Sequence, residues 1–355
     1  MDLANGGIIG IMKMPKRRIT HHLPSLKSTF LVTLTIVGVG FLGGFTVARS
    51  QFNHARGQAN ALATNEQTTA PVVPPPLQAN LAGLKLYINT EANAGRPTTI
   101  ANRPTATWLG GWNANAKTDV ATIMSRAALK GTVPTFVLYN IPHRDCGSYS
   151  AGGLSDGVVY NQWVSGIAES IGQRQAIVIV EPDAVAGWDC LTDAQRVDRA
   201  AMLEEAITLL KTTTKAYVYL DAGHARWKSA DDMAKRLTEA GIAKADGFSV
   251  NISNFIWNPE TARYGDALAE KIGKRYVIDT SRNGYGLYAA KDWCNPSGQA
   301  IGRSPSTTVT DRKYVDAYLW VKVPGESDGT CNGGPTAGEW WPAYANELIA
   351  NSLAR

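Results

Sequence analysis

Residues 176–187 read AIVIVEPDAVAG, with four β-branched residues running directly into Glu181, Pro182 and Asp183 before the chain turns apolar again. Carboxyls on the end of a buried strand are unfavourable unless something pairs or uses them. They do not stand alone. Other apolar runs also end in polar residues: Tyr139 then Arg144 and Asp145; Asp221 and His224; Asn251 and Asn254; Asp279, Ser281, Arg282 and Asn283; Lys322, Glu326 and Asp328. A single Asp after a strand ordinarily caps the next helix or sits in a turn, and Asp193 and Asp266 are read as caps. So many carboxyls at one mouth must share protons, pair with Arg144, Arg282 and Lys322, or act on a substrate. The chemistry such a set supports is general acid and base catalysis.

Tryptophans supply the other half of the pattern. Trp108, Trp112, Trp188, Trp227, Trp257, Trp293, Trp340 and Trp341 fall mostly at strand ends or in loops. A Trp is by default a packing residue. A trough lined with flat apolar rings and holding carboxyls, however, suits hydrolysis of a neutral polymer of sugar rings, which stack on indole and offer hydroxyls to polar side chains.

The elements that must position these residues are short apolar runs at 105–111, 135–142, 176–183, 216–224, 247–253, 275–283 and 317–325. They are rich in Val, Ile, Tyr and Phe and lack half-exposed alternation, so seven buried strands are expected. Helical stretches fall between them, at 193–210, 229–240 and 266–272, the first with an acidic start that suits the helix dipole. Strand then helix, repeated, implies a parallel sheet, and the length favours a closed or nearly closed α/β barrel with its site at the C-terminal ends of the strands. An open doubly wound sheet is the alternative, but no G-x-G-x-x-G follows a strand.

The 355-residue chain is 44% hydrophobic and 18% charged, a balance that suits a globular core. Its net charge of +5 comes mostly from Lys13, Lys16, Arg17, Arg18 and Lys27. The rest is nearly balanced, with no basic stripe to engage nucleic acid. Residues 1–29 read as a basic leader and 30–48 as an uncharged apolar segment, either a secretory signal or an uncleaved membrane anchor. Residues 49–79 form a linker with a Pro-Pro-Pro run, and 80–355 the folded domain. Both readings of 30–48 place that domain outside the cytoplasm, secreted or membrane-attached. Four cysteines in the exported part favour two disulfides. No C-x-x-C or H-E-x-x-H spacing is present, so neither metal nor cofactor is expected.

Six stretches in order resemble glycoside hydrolase family 6, the inverting cellulases: VLYNIPHRDCGSYSAGG (137–153), IVIVEPDAVAG (177–187), YLDAGHARW (219–227), DTSRNG (279–284), DWCNP (292–296) and WVKVPGESDG (320–329). The resemblance implies a distorted seven-stranded parallel β/α barrel that cleaves β-1,4-glucan with inversion. It assigns Asp183 as the general acid and Asp145 as the neighbour that raises its pKa and relays protons. Asp221 would set the site's electrostatics, and Asp328 is the candidate base. Tyr139 would distort the reacting sugar. Trp108, Trp227 and Trp293 would stack sugars, and Asn254, Lys322 and Glu326 would bind hydroxyls. The same comparison pairs Cys146 with Cys190 and Cys294 with Cys331.

Two departures stand out. The family often carries a water-holding serine after the RDC; Ala151 occupies that position here, with Ser148 and Ser150 nearest. The loop after Trp227 reads KSADD, without the second tryptophan of some members, which implies fewer stacking subsites on the leaving-group side. Only about a dozen residues separate Asp328 from Trp341, too short a loop for a lid. An endoglucanase, monomeric and acting on cellulose, soluble derivatives or mixed-linkage β-glucan, is favoured over a cellobiohydrolase. A barrel that binds glucan without cutting it is the third reading, and the complete set of aspartates argues against it.

Overall fold

The computed structural model describes residues 81–285 and 293–353. The leader, the apolar segment at 30–48, the linker and Asp292 lie outside the described residues. All seven expected strands are present: β1 (Thr107–Leu109), β2 (Thr135–Leu138), β3 (Ile177–Val180), β4 (Tyr217–Asp221), β5 (Gly247–Val250), β6 (Arg275–Asp279) and β7 (Val315–Leu319). They pair in chain order, every pair parallel. No ladder between β1 and β7 occurs among the described residues. The seam is drawn together instead by the Ala106 N–H donating to Trp320 O (3.0 Å) and the Trp108 Nε1–H donating to Val321 O (2.8 Å). The architecture is the distorted seven-stranded β/α barrel.

Alternation appears once the two faces are separated. Val137, Ile177, Ile179, Tyr219, Val277, Ala317 and Leu319 form a core inside the barrel. Their chain neighbours Phe136, Leu138, Val178, Val180, Val218, Leu220 and Ile278 join a second core against the helices. Because both faces are buried, the strands read as continuous apolar runs in sequence.

Besides one short turn of helix at Thr98–Ala101, the helices are α1 (Ala116–Leu129), α2 (Gly157–Ile171), α3 (Asp193–Thr213), α4 (Ala230–Glu239), α5 (Asn258–Ile272) and α6 (Pro342–Leu353). Sequence reading finds α3, α4 and the second half of α5, and passes over the other three. Neither Asp193 nor Asp266 is a cap. Thr192 caps α3 in a reciprocal capping box with Gln195, and Asp193 is the first helical residue. Asp266 lies inside α5, which begins eight residues earlier behind Trp257 with a proline in its first turn; its carboxylate accepts from the Tyr276 hydroxyl (2.7 Å).

Candidate active site

Polar residues gather at the C-terminal ends of the strands because the chain there leaves the ladder in tight turns, several with left-handed backbone. Glu181 (φ 48°) and Asp183 (φ 69°) flank Pro182, and His143, Asp145 and Cys146 take φ values of 57°, 56° and 50°. Such non-glycine conformations cost about 1 kcal/mol or more each and concentrate at functional sites. Two disulfides, Cys146–Cys190 and Cys294–Cys331, tie the loops that carry them.

The carboxyls separate into two kinds. Glu181 and Asp279 are fully buried and serve the backbone. Glu181 accepts from the amides of Asn140 (3.0 Å) and Ile141 (3.2 Å), which locks the end of β2 against β3. Asp279 accepts from the amides of Ser281, Ser253 and Lys322 at 2.9–3.0 Å, joining the ends of β5, β6 and β7. Three other aspartates line a cleft of about 540 Å³.

Asp145, Asp183 and Asp328 line that cleft, with Tyr139, Trp108, Trp293, Asn254, Lys322 and Glu326. Two expected site residues lie elsewhere. Asp221 is wholly buried beneath Asp183, where its Oδ2 accepts the Asp183 N–H (3.0 Å) and the Gly223 N–H (3.0 Å), and its Oδ1 the Ser249 hydroxyl (3.1 Å). Trp227 is 39% exposed but does not line the cleft; its indole lies over Gly187 and Gly223, beside the turn that follows Asp183.

Burial, then the charges of Asp221 and Asp145, push the Asp183 carboxyl well above the usual carboxylate range. Asp221 is raised to about 6 by burial, opposed by the hydrogen bonds it accepts. Burial also raises Asp145, opposed by the Ser150 amide (2.7 Å) and Arg144. The outcome is a carboxylic acid in the cleft beside two carboxyls that ionise more readily, the arrangement that separates acid from base roles.

Asp328 is held differently. Both its oxygens accept from Arg282, each at 2.9 Å, and Oδ2 also accepts the Asn295 N–H (3.1 Å). Arg282 is itself buried, donates to Ser253 O and stands over the Phe255 ring at 4.2 Å. Of the three cations expected to neutralise the mouth, only Arg282 does so by direct pairing. Arg144 instead donates to the carbonyls of Tyr139 (2.6 Å), Ser150 (2.7 Å) and Ala151 (3.2 Å) and stands over the Tyr139 ring at 4.7 Å. Lys322 donates to Ser327 O (3.1 Å), its pKa lowered by burial against the pull of Asp328 and Glu326. At the floor, Trp108 meets Tyr139 edge to face, ring centroids 5.2 Å apart.

Against that geometry, the sequence matches the profile of Glycosyl hydrolases family 6 over residues 72–352. The chain belongs to glycoside hydrolase family 6. It is 44% identical to endoglucanase A of Cellulomonas fimi over 257 residues, 71% of this chain and 55% of that one. It is 41% identical to endoglucanase 1 of Streptomyces halstedii over 260 residues, 70% of this chain and 79% of that one. The structure resembles that of a Mycobacterium tuberculosis endoglucanase in complex with methyl-cellobiosyl-4-deoxy-4-thio-β-D-cellobioside. The TM-score is 0.72 at 42% identity, covering 77% of this chain and 98% of the other. The chain therefore spans little more than half of the Cellulomonas relative.

Sequence reasoning missed a wall of this family 6 cleft. Asn89, Asn93 and Arg96 line it from the segment before β1. Arg96 donates to Glu326 (2.9 Å) and covers the Trp340 ring at 4.8 Å. None of these residues follows a strand, so the rule that located the others does not reach them. Tyr149 also lines the cleft, and nothing in its local sequence distinguishes it from an ordinary loop residue.

Proposed function

We propose that this chain is an endo-β-1,4-glucanase that hydrolyses internal glucosidic bonds with inversion. The observation that carries the reading is Asp183: a carboxyl whose pKa is pushed up by burial and two neighbouring carboxyls, facing a cleft of aromatic rings and polar side chains. Asp183 gives its proton to the leaving glycosidic oxygen. Asp145 holds that proton on Asp183 beforehand and takes part in removing one from the attacking water. Asp221 fixes the Asp183 backbone from below. Asp328 is the candidate base: the donors of Arg282 and Asn295 hold its carboxylate in place, and one lone pair of Oδ1 is left to accept a proton. Tyr139 presses the reacting sugar, Trp108 and Trp293 stack rings within the cleft, and the exposed Trp227 stacks one beyond it. Lys322, Glu326 and Asn254 bind hydroxyls. The substrates are cellulose chains, soluble derivatives or mixed-linkage β-glucan.

Action within the chain is favoured over attack at its ends by the loop after Asp328. It folds back as a tight hairpin, with Ser327 N–H donating to Glu339 O and Gly338 N–H to Ser327 O, both at 2.9 Å. That hairpin forms one wall of the cleft. Two disulfides support folding in an oxidising compartment, outside the cytoplasm. No helix among the described residues is long and apolar enough to cross a membrane, and attachment through residues 30–48 is the alternative to secretion.

The deciding measurement is the anomeric form of the first product by NMR, together with viscosity loss of a soluble cellulose derivative. The α-anomer with rapid viscosity loss and few reducing ends is expected. A β-anomer sinks inversion; slow viscosity loss with cellobiose release moves the assignment to a cellobiohydrolase.

The pH profile tests the acid. Activity is expected to fall on the alkaline side as Asp183 loses its proton. Asp145→Asn removes a negative charge that raises the Asp183 pKa, so the alkaline limb of kcat/KM moves to lower pH. A limb that stays in place rules out tuning by Asp145.

A further inference from the structure

The loop after β2 carries Asp145 and Tyr149, while Trp293 follows β6 and Gly329 follows β7. In the strand order β1 stands between β2 and the seam with β7. Contact between these loops is therefore made past β1, where Thr107 and Trp108 line the cleft. Tyr149 makes that contact. Its ring lies 6.0 Å from the Trp293 ring at an interplanar angle of 63°, and it packs on Gly329, where a Cβ would fall 2.6 Å from the Tyr149 ring. Gly329 has φ 150°, so both its backbone and the ring exclude a side chain there.

The backbone beneath this ring is pinned. Ser148 N–H donates to Asp145 O, Ala151 N–H to Ser148 O, and the Ser150 amide to the Asp145 carboxylate. Arg144 holds the carbonyls of Ser150 and Ala151, and the Cys146–Cys190 disulfide fixes the other side. The Tyr149 side chain, half exposed, edge-on to Trp293 and laid over the bare backbone of Gly329, is thus the movable part of this loop. Trp293 is itself 44% exposed and lines the cleft, so a sugar that stacks on it must compete with Tyr149.

We propose that Tyr149 is a strap across the cleft and a specificity-determining residue of the reaction. A glucan laid in from the side turns the ring aside about its own torsions, and the ring then closes over the chain and retains it between cleavages. The proposal deepens the β-1,4-glucanase reading and rests on it. It implies that the cleft is open to internal attack yet releases its substrate more slowly than an unstrapped cleft.

The test compares wild type, Tyr149→Ala and Tyr149→Phe on amorphous cellulose, scoring soluble against insoluble reducing ends. An edge aromatic contact corresponds to roughly 2–10-fold in dissociation. Tyr149→Ala is accordingly expected to lower the soluble-to-insoluble ratio by about twofold or more, while Tyr149→Phe, which keeps the ring, keeps the ratio. An unchanged ratio in a cutting Tyr149→Ala variant overturns the strap and leaves the activity standing. Failure of the wild type to cut the glucan removes the activity reading, and the strap with it.

Discussion

Asp183→Ala is expected to lose about 10²–10⁴-fold in kcat on unactivated β-1,4-glucan, the range a positioned general acid supplies. The loss should be much smaller on a glycoside whose leaving group departs without protonation, such as a dinitrophenyl cellobioside. The reason lies in the environment of that carboxyl. Burial and the charges of Asp221 and Asp145 push its pKa well above the usual carboxylate range, so it holds its proton to higher pH than an exposed Asp. Replacing it removes the proton donor and leaves the sugar-binding wall of Trp108, Lys322 and Glu326 untouched, so KM should change little. Equal losses on both substrates would mean that Asp183 does something other than protonate the leaving oxygen.

The second large effect concerns stability. Arg282→Met is expected to destabilise the domain by about 3–5 kcal/mol, because it strands the buried Asp328 charge without its bidentate partner. In a domain of this size that corresponds to a fall in Tm of roughly 10 °C. Adding Asp328→Asn should recover most of the loss, since the uncompensated charge is then gone and Met retains much of the contact with Phe255. Urea unfolding of the single and double variants checks this. If the double variant is no more stable than Arg282→Met alone, the deficit comes from packing and from the lost bond to Ser253 rather than from charge.

The strands were legible because burial on both faces leaves an unmistakable apolar run, and parallel order followed from the helices between them. Helices α1, α2 and α6 were not, because their apolar faces answer to sheet and loop surfaces that lie far away in sequence. Asp266 shows the same limit: an Asp ahead of an apolar stretch looks like a cap, yet the helix starts about two turns earlier, with Pro259 in its first turn, and Tyr276, on the next strand, claims the carboxylate. The walls of the cleft were half legible. Residues at strand ends announce themselves by position, whereas Arg96 and Tyr149 enter the site through loop paths that only folding defines.

The sequence alone determined which residues could do the chemistry: six ordered stretches, and among them an acidic pair at the end of a buried strand. It could not divide that pair. Glu181 and Asp183 are two residues apart and equally buried by pattern, yet one accepts the amides of Asn140 and Ile141 while the other meets Asp221 and Asp145 at the cleft. A carboxyl's role depends on which dipoles and charges stand within a few ångströms, and those come from β2, from β4 and from the loop holding Asp145. Tertiary structure decided which carboxyl is pushed further toward its protonated form, because only packing sets the distances through which burial and charge act.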